Sequence, residues 1–204
     1  MRGCGRSEAP ARAPFSHHDD LRGLLDFLDI ERAVLVGCSI GARTIIDFAL
    51  AHPERVRVLA LVCPSLSGFE SDEEPPEEWE ELVAADEAGD LERVSELEVR
   101  IWADGPYRRP DQVYRAVRDL VREMNLIALR NEPDLGEERP AQRPAVNRLA
   151  EIQVPTLAGD LDRPEVGSRA DLLSRSIPRA QKVVINGTAH VPSMESSTGL
   201  YWDS

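Results

Sequence analysis

Hydrophobic and polar positions follow two periods along this chain. Residues 17–29 carry Leu21, Leu24, Leu25 and Leu28 at the i, i+3, i+4, i+7 spacing of one helix face, with Asp20, Arg22 and Asp26 toward water. Ser16, followed three positions on by Asp19, supplies the start signal. Residues 33–37, Ala-Val-Leu-Val-Gly, form a short continuous apolar run, which predicts a strand buried on both faces. A helical pattern from Ile40 to Ala51 stops ahead of Pro53, because the residue before a proline is steered away from helical angles. Residues 56–63 are a second apolar run. Strand, helix and strand at this spacing predict a parallel crossover unit.

The same order recurs near the other end, with a strand over 154–158, a helix over 165–176 turning Leu172 and Leu173 inward, and a strand over 182–185. Between the halves the character changes. From Glu70 to Glu98 there are fourteen acidic residues against the single basic Arg93, which marks a solvated insertion. Its later part places Val113, Val117, Leu120, Val121 and Met124 at helical spacing, and the proline-rich stretch 133–144 bounds it. Trp102-Ala103-Asp104-Gly105-Pro106 reads as a turn between its helices. The expected organisation is a core over 1–67, a helical cap inserted over 68–150, and a second core segment over 151–204.

Composition narrows the classes. The 204 residues, 42% hydrophobic and 30% charged, suit a globular fold. With 24 basic and 37 acidic groups the net charge is −13, which repels a nucleic-acid backbone and an anionic lipid surface. Lys182 is the one lysine, and no basic stripe offsets that balance. The apolar runs are too short to span a bilayer. Cys4, Cys38 and Cys63 are an odd number without metal-type spacing, and they read as reduced thiols of a cytoplasmic protein. Polar residues and prolines follow Met1, so no secretory signal is expected. Nothing in the His, Cys and carboxylate spacing calls for a metal or organic cofactor.

The sharpest chemical signal is Gly37-Cys38-Ser39-Ile40-Gly41, a G-x-S-x-G pattern where the first strand turns into its helix. A turn this tight strains the serine backbone, and both glycines are expected to spare a collision between strand and helix. A serine hydroxyl needs a base, and the base needs an orienting acid. Of four histidines, His17, His18 and His52 read as surface residues, whereas His190 follows a strand in Gly187-Thr188-Ala189-His190. The acid is sought after the preceding strand, in Gly159-Asp160-Leu161-Asp162, where Asp162 is favoured and Asp160 competes. The chain order is then Ser, Asp, His.

On these motifs the chain resembles the α/β-hydrolase fold family. Arg2-Gly3-Cys4-Gly5-Arg6-Ser7 is similar to the family's R-G-x-G-x-S loop, and Gly159 to Asp162 and Gly187 to His190 are similar to its G-x-x-D and G-x-A-H segments. The match covers residues 1–66 and 154–194, and the finer likeness is to esterases and enol-lactonases. The resemblance implies Ser39 as nucleophile, Asp162 as acid, His190 as base and the Ile40 N–H as an oxyanion donor. An aspartate nucleophile is disfavoured because the elbow holds serine. Cys38 and Trp102 are candidate substrate contacts, with Trp79 and Tyr107 as further apolar groups of the cap. The expected fold is α/β, a mostly parallel sheet flanked by helices with an inserted helical cap.

Three departures accompany the match. The chain begins at the R-G-x-G-x-S loop, so the family's earlier strands and H-G loop, with its second oxyanion donor, have no counterpart. Losing one such donor typically costs about 10²–10³ in turnover. The strand at residue 33 would lack a neighbour and leave an apolar edge open to pairing, with a homo-oligomer as the expected outcome. The segment 155–159 is shorter than the family's usual strand, and residues 193–204 lack a closing helix. The expected activity is hydrolysis of a small ester, thioester or lactone. The alternatives are a weak or silent relative acting as a binding protein or incomplete product, and a carbon–carbon bond hydrolase or cofactor-free perhydrolase.

Overall fold

The computed structural model describes Ser7 and residues 14–70, 74–131, 137–139, 141–161 and 169–195. The chain divides into two compact units: residues 12–71 with 136–186, and residues 1–11 with 72–135 and 187–204.

The first unit is built on a sheet. Among the described residues its strands are β1 (Ala33–Cys38), β2 (Val56–Val62), β3 (Thr156–Leu161) and β4 (Ala180–Ile185), parallel throughout and side by side in that order. Helix α1 (His17–Phe27) starts as its residues predict, with the Asp19 N–H donating to Ser16 Oγ at 3.3 Å. Helix α2 (Ile40–Ala51) runs over the predicted residues and carries the chain between the first two parallel strands. Buried Ile46, Phe48, Leu59, Leu61, Leu173 and Ile177 form one core between sheet and helices.

The structure corrects several boundaries. β1 is buried on one face only: Leu35 is buried, while Val34 and Val36 are 59% and 69% exposed. Alternation along the strand turns Gly37 toward α2 and puts the valines on the opposite face, and β1 is an edge of the sheet among the described residues. The α1 stripe is likewise narrower than its pattern, since Leu25 is buried and Leu21 packs on the core but Leu24 and Leu28 are exposed. β3 begins two residues later than expected because Pro155 has no N–H, so the ladder starts with Thr156, which donates to the Arg179 carbonyl at 3.1 Å. It also runs further, pairing Gly159, Asp160 and Leu161 with Val183, Val184 and Ile185. Asp160 is therefore a strand residue and not part of a turn; Asp162 lies outside the described residues. The predicted helix over 165–176 is described as α6 (Arg169–Ser176), with Leu173 buried.

Gly37 and Gly41 were expected to relieve the same crowding, and only one does. A Cβ on Gly37 would stand 2.5 Å from the Gly41 carbonyl carbon and oxygen and 2.7 Å from the Ala42 nitrogen, whereas a Cβ on Gly41 meets nothing within 4 Å.

The second unit is helical, with α3 (Trp79–Glu87), α4 (Leu91–Glu98) and α5 (Arg115–Asn131). α4 continues into a π-helical stretch, Val99–Asp104, so Trp102, Ala103 and Asp104 are helical and the expected turn starts only at Gly105, where φ is 71°. Val113, Val117 and Val121 pack with Val99 and Ala103, but Leu120 and Met124 stay exposed. Behind them lies an ionic cluster. The Arg118 guanidinium is paired with the buried Asp104 carboxylate and donates to Glu96 at 3.0 Å, and Glu96 also accepts from Arg122. Burial pushes the Glu96 carboxyl up, but Arg122, Arg118 and Arg100 outweigh it and hold it below the ordinary glutamate value. A short helix α7 (Pro192–Glu195) completes the described part of this unit.

Two outcomes follow from this packing. Gly37→Ala costs about 3 kcal/mol because only backbone atoms would have to move, while Gly41→Ala leaves the thermal midpoint unchanged or slightly raised; equal losses for the two variants would contradict the crossing geometry. Because the folded-state value of Glu96 is lowered, its contribution is complete above the unfolded value of about 4.3 and fades as pH falls through the folded one. Glu96→Gln is therefore less stable than wild type at neutral pH, and denaturant titrations show the gap closing in acid.

Candidate active site

Ser39 sits at the carboxyl end of β1 with φ 53° and ψ −118°, a left-handed conformation that a side chain rarely adopts. Hydrogen bonds on both sides of the residue hold it there. Its N–H donates to the Val62 carbonyl at 3.0 Å, and its own carbonyl accepts from Ala42 and Arg43 of α2 and from Ser65 beyond β2. The Ser39 side chain makes no capping bond to the helix it precedes. Ile40 opens α2, and its N–H is among the first four of the helix, which have no acceptor within it. The helix N-terminus beside the hydroxyl favours negative charge. The pattern read from the sequence thus produces a strained serine followed by a helix N-terminus, which suits a nucleophile whose product is an oxyanion.

Cys38, on the other side of Ser39, is exposed and hydrogen-bonded to the thiol of the buried Cys63. That bond lowers the Cys38 thiol below its ordinary value against the opposing effect of burial. Cys63 follows directly on β2 and has φ 44°, a second left-handed residue at the carboxyl edge of the sheet.

His190 and Trp102 meet in the helical unit. The His190 N–H donates to the Trp102 carbonyl at 3.0 Å, and the two rings lie 4.9 Å apart, centroid to centroid, tilted by 44°. The loop before His190 is anchored by two residues that sequence reasoning did not single out. Arg108 donates to the Asp104 carbonyl at 2.9 Å, the Ala103 carbonyl at 2.6 Å and the Gly187 carbonyl at 3.1 Å, and pairs with the Glu195 carboxylate. Glu195 in turn accepts the Ala189 N–H at 3.0 Å. Gly105 lies against the same loop, where a Cβ would stand 3.0 Å from that of Ala189. Their sequence signal is faint, because 87 positions separate the arginine from its carboxylate.

The structure groups Cys38, Ser39 and Ile40 in the sheet unit, and Trp102 with His190 in the helical unit. Asp162 is outside the described residues; Asp160 lies in β3. Trp79 and Tyr107 are exposed on the helical unit. His17, His18 and His52 are half-buried and not fully superficial, with the His17 ring edge-on to Phe15 and the His52 ring tilted against Phe48. Among the described residues no cluster of His, Cys, Asp and Glu could hold a metal ion, and no helix is long and apolar enough to cross a membrane.

Comparison with known proteins agrees with this architecture. A family model described as the alpha/beta hydrolase fold matches residues 1–197. A 2-hydroxymuconate semialdehyde hydrolase of Pseudomonas sp. (strain CF600) is 46% identical over 65 residues, 30% of this chain and 23% of that protein. A 2-hydroxy-6-oxononadienedioate/2-hydroxy-6-oxononatrienedioate hydrolase of Cupriavidus pinatubonensis is 30% identical over 181 residues, covering 83% of this chain and 60% of its own. The chain thus spans less than two thirds of the length of these curated relatives. Among solved structures, the enol-lactonase from Burkholderia xenovorans LB400 superposes with a TM-score of 0.68 at 22% identity, over 96% of this chain and 73% of that one. The parallel sheet with its strand-to-helix elbow and the family match over residues 1–197 together place this chain in the alpha/beta hydrolase fold family.

Proposed function

We propose that the chain is a serine hydrolase that cleaves a small ester, thioester or lactone by acyl transfer. The observation that carries this reading is Ser39 itself, held at φ 53° between β1 and α2 with its side chain unused as a cap. In the proposed mechanism Ser39 Oγ attacks the substrate carbonyl while His190 takes its proton. Asp162 fixes the imidazole tautomer and stabilises the imidazolium. The Ile40 N–H, aided by the α2 terminus, binds the oxyanion. His190 returns the proton to the leaving group, and water then releases the acyl group by the same steps in reverse order. Within the inserted segment 68–150 the helical stretch 72–135 acts as the cap, with Trp102 and Cys38 contacting substrate. Arg108 and Glu195 are positioning residues, since they hold the backbone that carries His190. The exposed Cys38, present as a thiol beside the Cys63 thiol, fits a reducing, cytoplasmic setting.

A second substrate class is favoured by the curated relatives. The names 2-hydroxymuconate semialdehyde and 2-hydroxy-6-oxononadienedioate contain no ester or lactone, so hydrolysis of such a compound breaks a carbon–carbon bond next to a carbonyl. The same serine and histidine would serve that reaction, and the substrate rather than the machinery distinguishes the two.

Turnover of p-nitrophenyl acetate and of a 2-hydroxy-6-oxo-dienoate, measured in parallel, separates these readings. For the preferred substrate, Ser39→Ala and His190→Ala each lower kcat by about 10⁴-fold or more, and the double variant is little worse than either single one. A Ser39→Ala protein that keeps wild-type turnover on both substrates removes the proposal. Faster dienoate cleavage by wild type would assign the carbon–carbon chemistry.

A further inference from the structure

We propose that Cys38 and Cys63 form an oxidation site, in which a hydroperoxide converts the two thiols into a disulfide joining the carboxyl ends of β1 and β2 immediately beside Ser39.

The backbone brings the two residues to the required separation. Cys38 is in register with Val62, so Cys63 is one residue further along the neighbouring strand. With strands about 4.8 Å apart and a rise of about 3.3 Å per residue, the two Cα atoms stand roughly 6 Å apart. Disulfides span about 4.4–6.8 Å between Cα atoms. In a regular strand this offset would still fail, because Cys63 would point to the face opposite Val62 and therefore away from Cys38. The left-handed backbone at Cys63, φ 44°, breaks the alternation, and the two thiols are hydrogen-bonded to each other. The Cys63 N–H still donates to the Gly159 carbonyl at 3.0 Å, which keeps the residue fixed to the sheet end.

The two sulfurs are unequal in a way that suits the chemistry. Cys38 is exposed and Cys63 buried, so the oxidant reaches Cys38 first. The Cys63 hydrogen bond also favours the thiolate of Cys38, the reactive form. Cys38 Sγ attacks hydrogen peroxide, the O–O bond breaks, and a sulfenic acid and one water result. Cys63 Sγ then attacks the Cys38 sulfur, forming the S–S bond and expelling the sulfenic oxygen as a second water. Two thiol hydrogens and two electrons pass to the peroxide, and a dithiol restores the original pair by exchange.

The elbow would register this change. Closing the bond brings the sulfurs to about 2.05 Å, and Ser39, which follows directly on β1, is tied to the end of β2 by its N–H to the Val62 carbonyl and by the Ser65 N–H to its own carbonyl. A residue in so constrained a conformation has little slack, so oxidation withdraws its hydroxyl from the reactive position. This last step rests on the proposed role of Ser39; the thiol chemistry does not.

The test uses the full chain carrying Cys4→Ser, treated with hydrogen peroxide, alkylated with iodoacetamide and mapped by mass spectrometry. The expected result is paired loss of the Cys38 and Cys63 alkylation sites, a Cys38–Cys63 linked peptide, and full reversal by dithiothreitol. In Cys63→Ser the oxidation of Cys38 should instead run on to the sulfinic acid. A folded protein in which Cys38 oxidises without any linked peptide overturns the site. Labelling by a fluorophosphonate probe reads the coupling: it should fall by about tenfold or more on oxidation and return on reduction, and unchanged labelling of the disulfide form overturns the coupling. Absence of labelling in the reduced protein would instead count against the hydrolase reading, while the peptide map still decides the disulfide.

Discussion

At the end of β1 the chain crosses its own following helix so closely that the Gly37 Cα faces the Gly41 carbonyl with no room for a methyl group between them. This contact sets the angle at which α2 leaves the strand, and the angle leaves Ser39 no ordinary backbone conformation. The strain is offset locally, by the hydrogen bonds from Ser39 to Val62 and from Ser65 to Ser39, and more broadly by the core of Ile46, Phe48, Leu59 and Leu61 that clamps α2 onto the sheet. Local strain of this kind costs on the order of 1–3 kcal/mol and persists only where surrounding packing determines the backbone completely. In return the side chain is left outside the helix it begins, next to a helix N-terminus suited to an anion.

The helical unit solves a different problem. It holds the His190 loop against a π-helical stretch, and it does so with charge as well as with apolar packing. Arg108 gathers the Ala103, Asp104 and Gly187 carbonyls and the Glu195 carboxylate, while Arg118 and Arg122 gather Asp104 and Glu96. Such arrangements contribute less net stability than apolar packing of the same volume, but breaking one partner is costly because it leaves a charge uncompensated. Among the described residues the excess acidity read in the sequence is largely exposed; arginines neutralise the half-buried Glu96, whereas burial and the nearby Asp86 push the Glu98 carboxyl up.

What the sequence made legible was decided by how local each signal is. α2 was readable to the residue because Pro53 stops it and the elbow starts it, and Ser39 was readable because its motif and both flanks are contiguous. β3 was displaced because Pro155 delays the ladder and because Gly159-Asp160, which reads as a turn, is held extended by pairing with Val183 and Val184. Val34 and Val36 read as core from the continuous apolar run, yet their exposure depends on what covers that face of the sheet, which no local pattern contains. The Cys38–Cys63 contact and the Arg108–Glu195 pair were invisible for the same reason: one needs a left-handed residue that breaks strand alternation, the other a contact across 87 positions.

The central claim is that the strained serine at this crossing is the reactive nucleophile. Treating the reduced protein with a fluorophosphonate and locating the adduct by tandem mass spectrometry tests it directly. The account predicts a single phosphonylated residue, Ser39, with loss of the adduct when the protein is first unfolded. An adduct on Ser65 or Ser67, or no adduct on protein shown by circular dichroism to be folded, would contradict it.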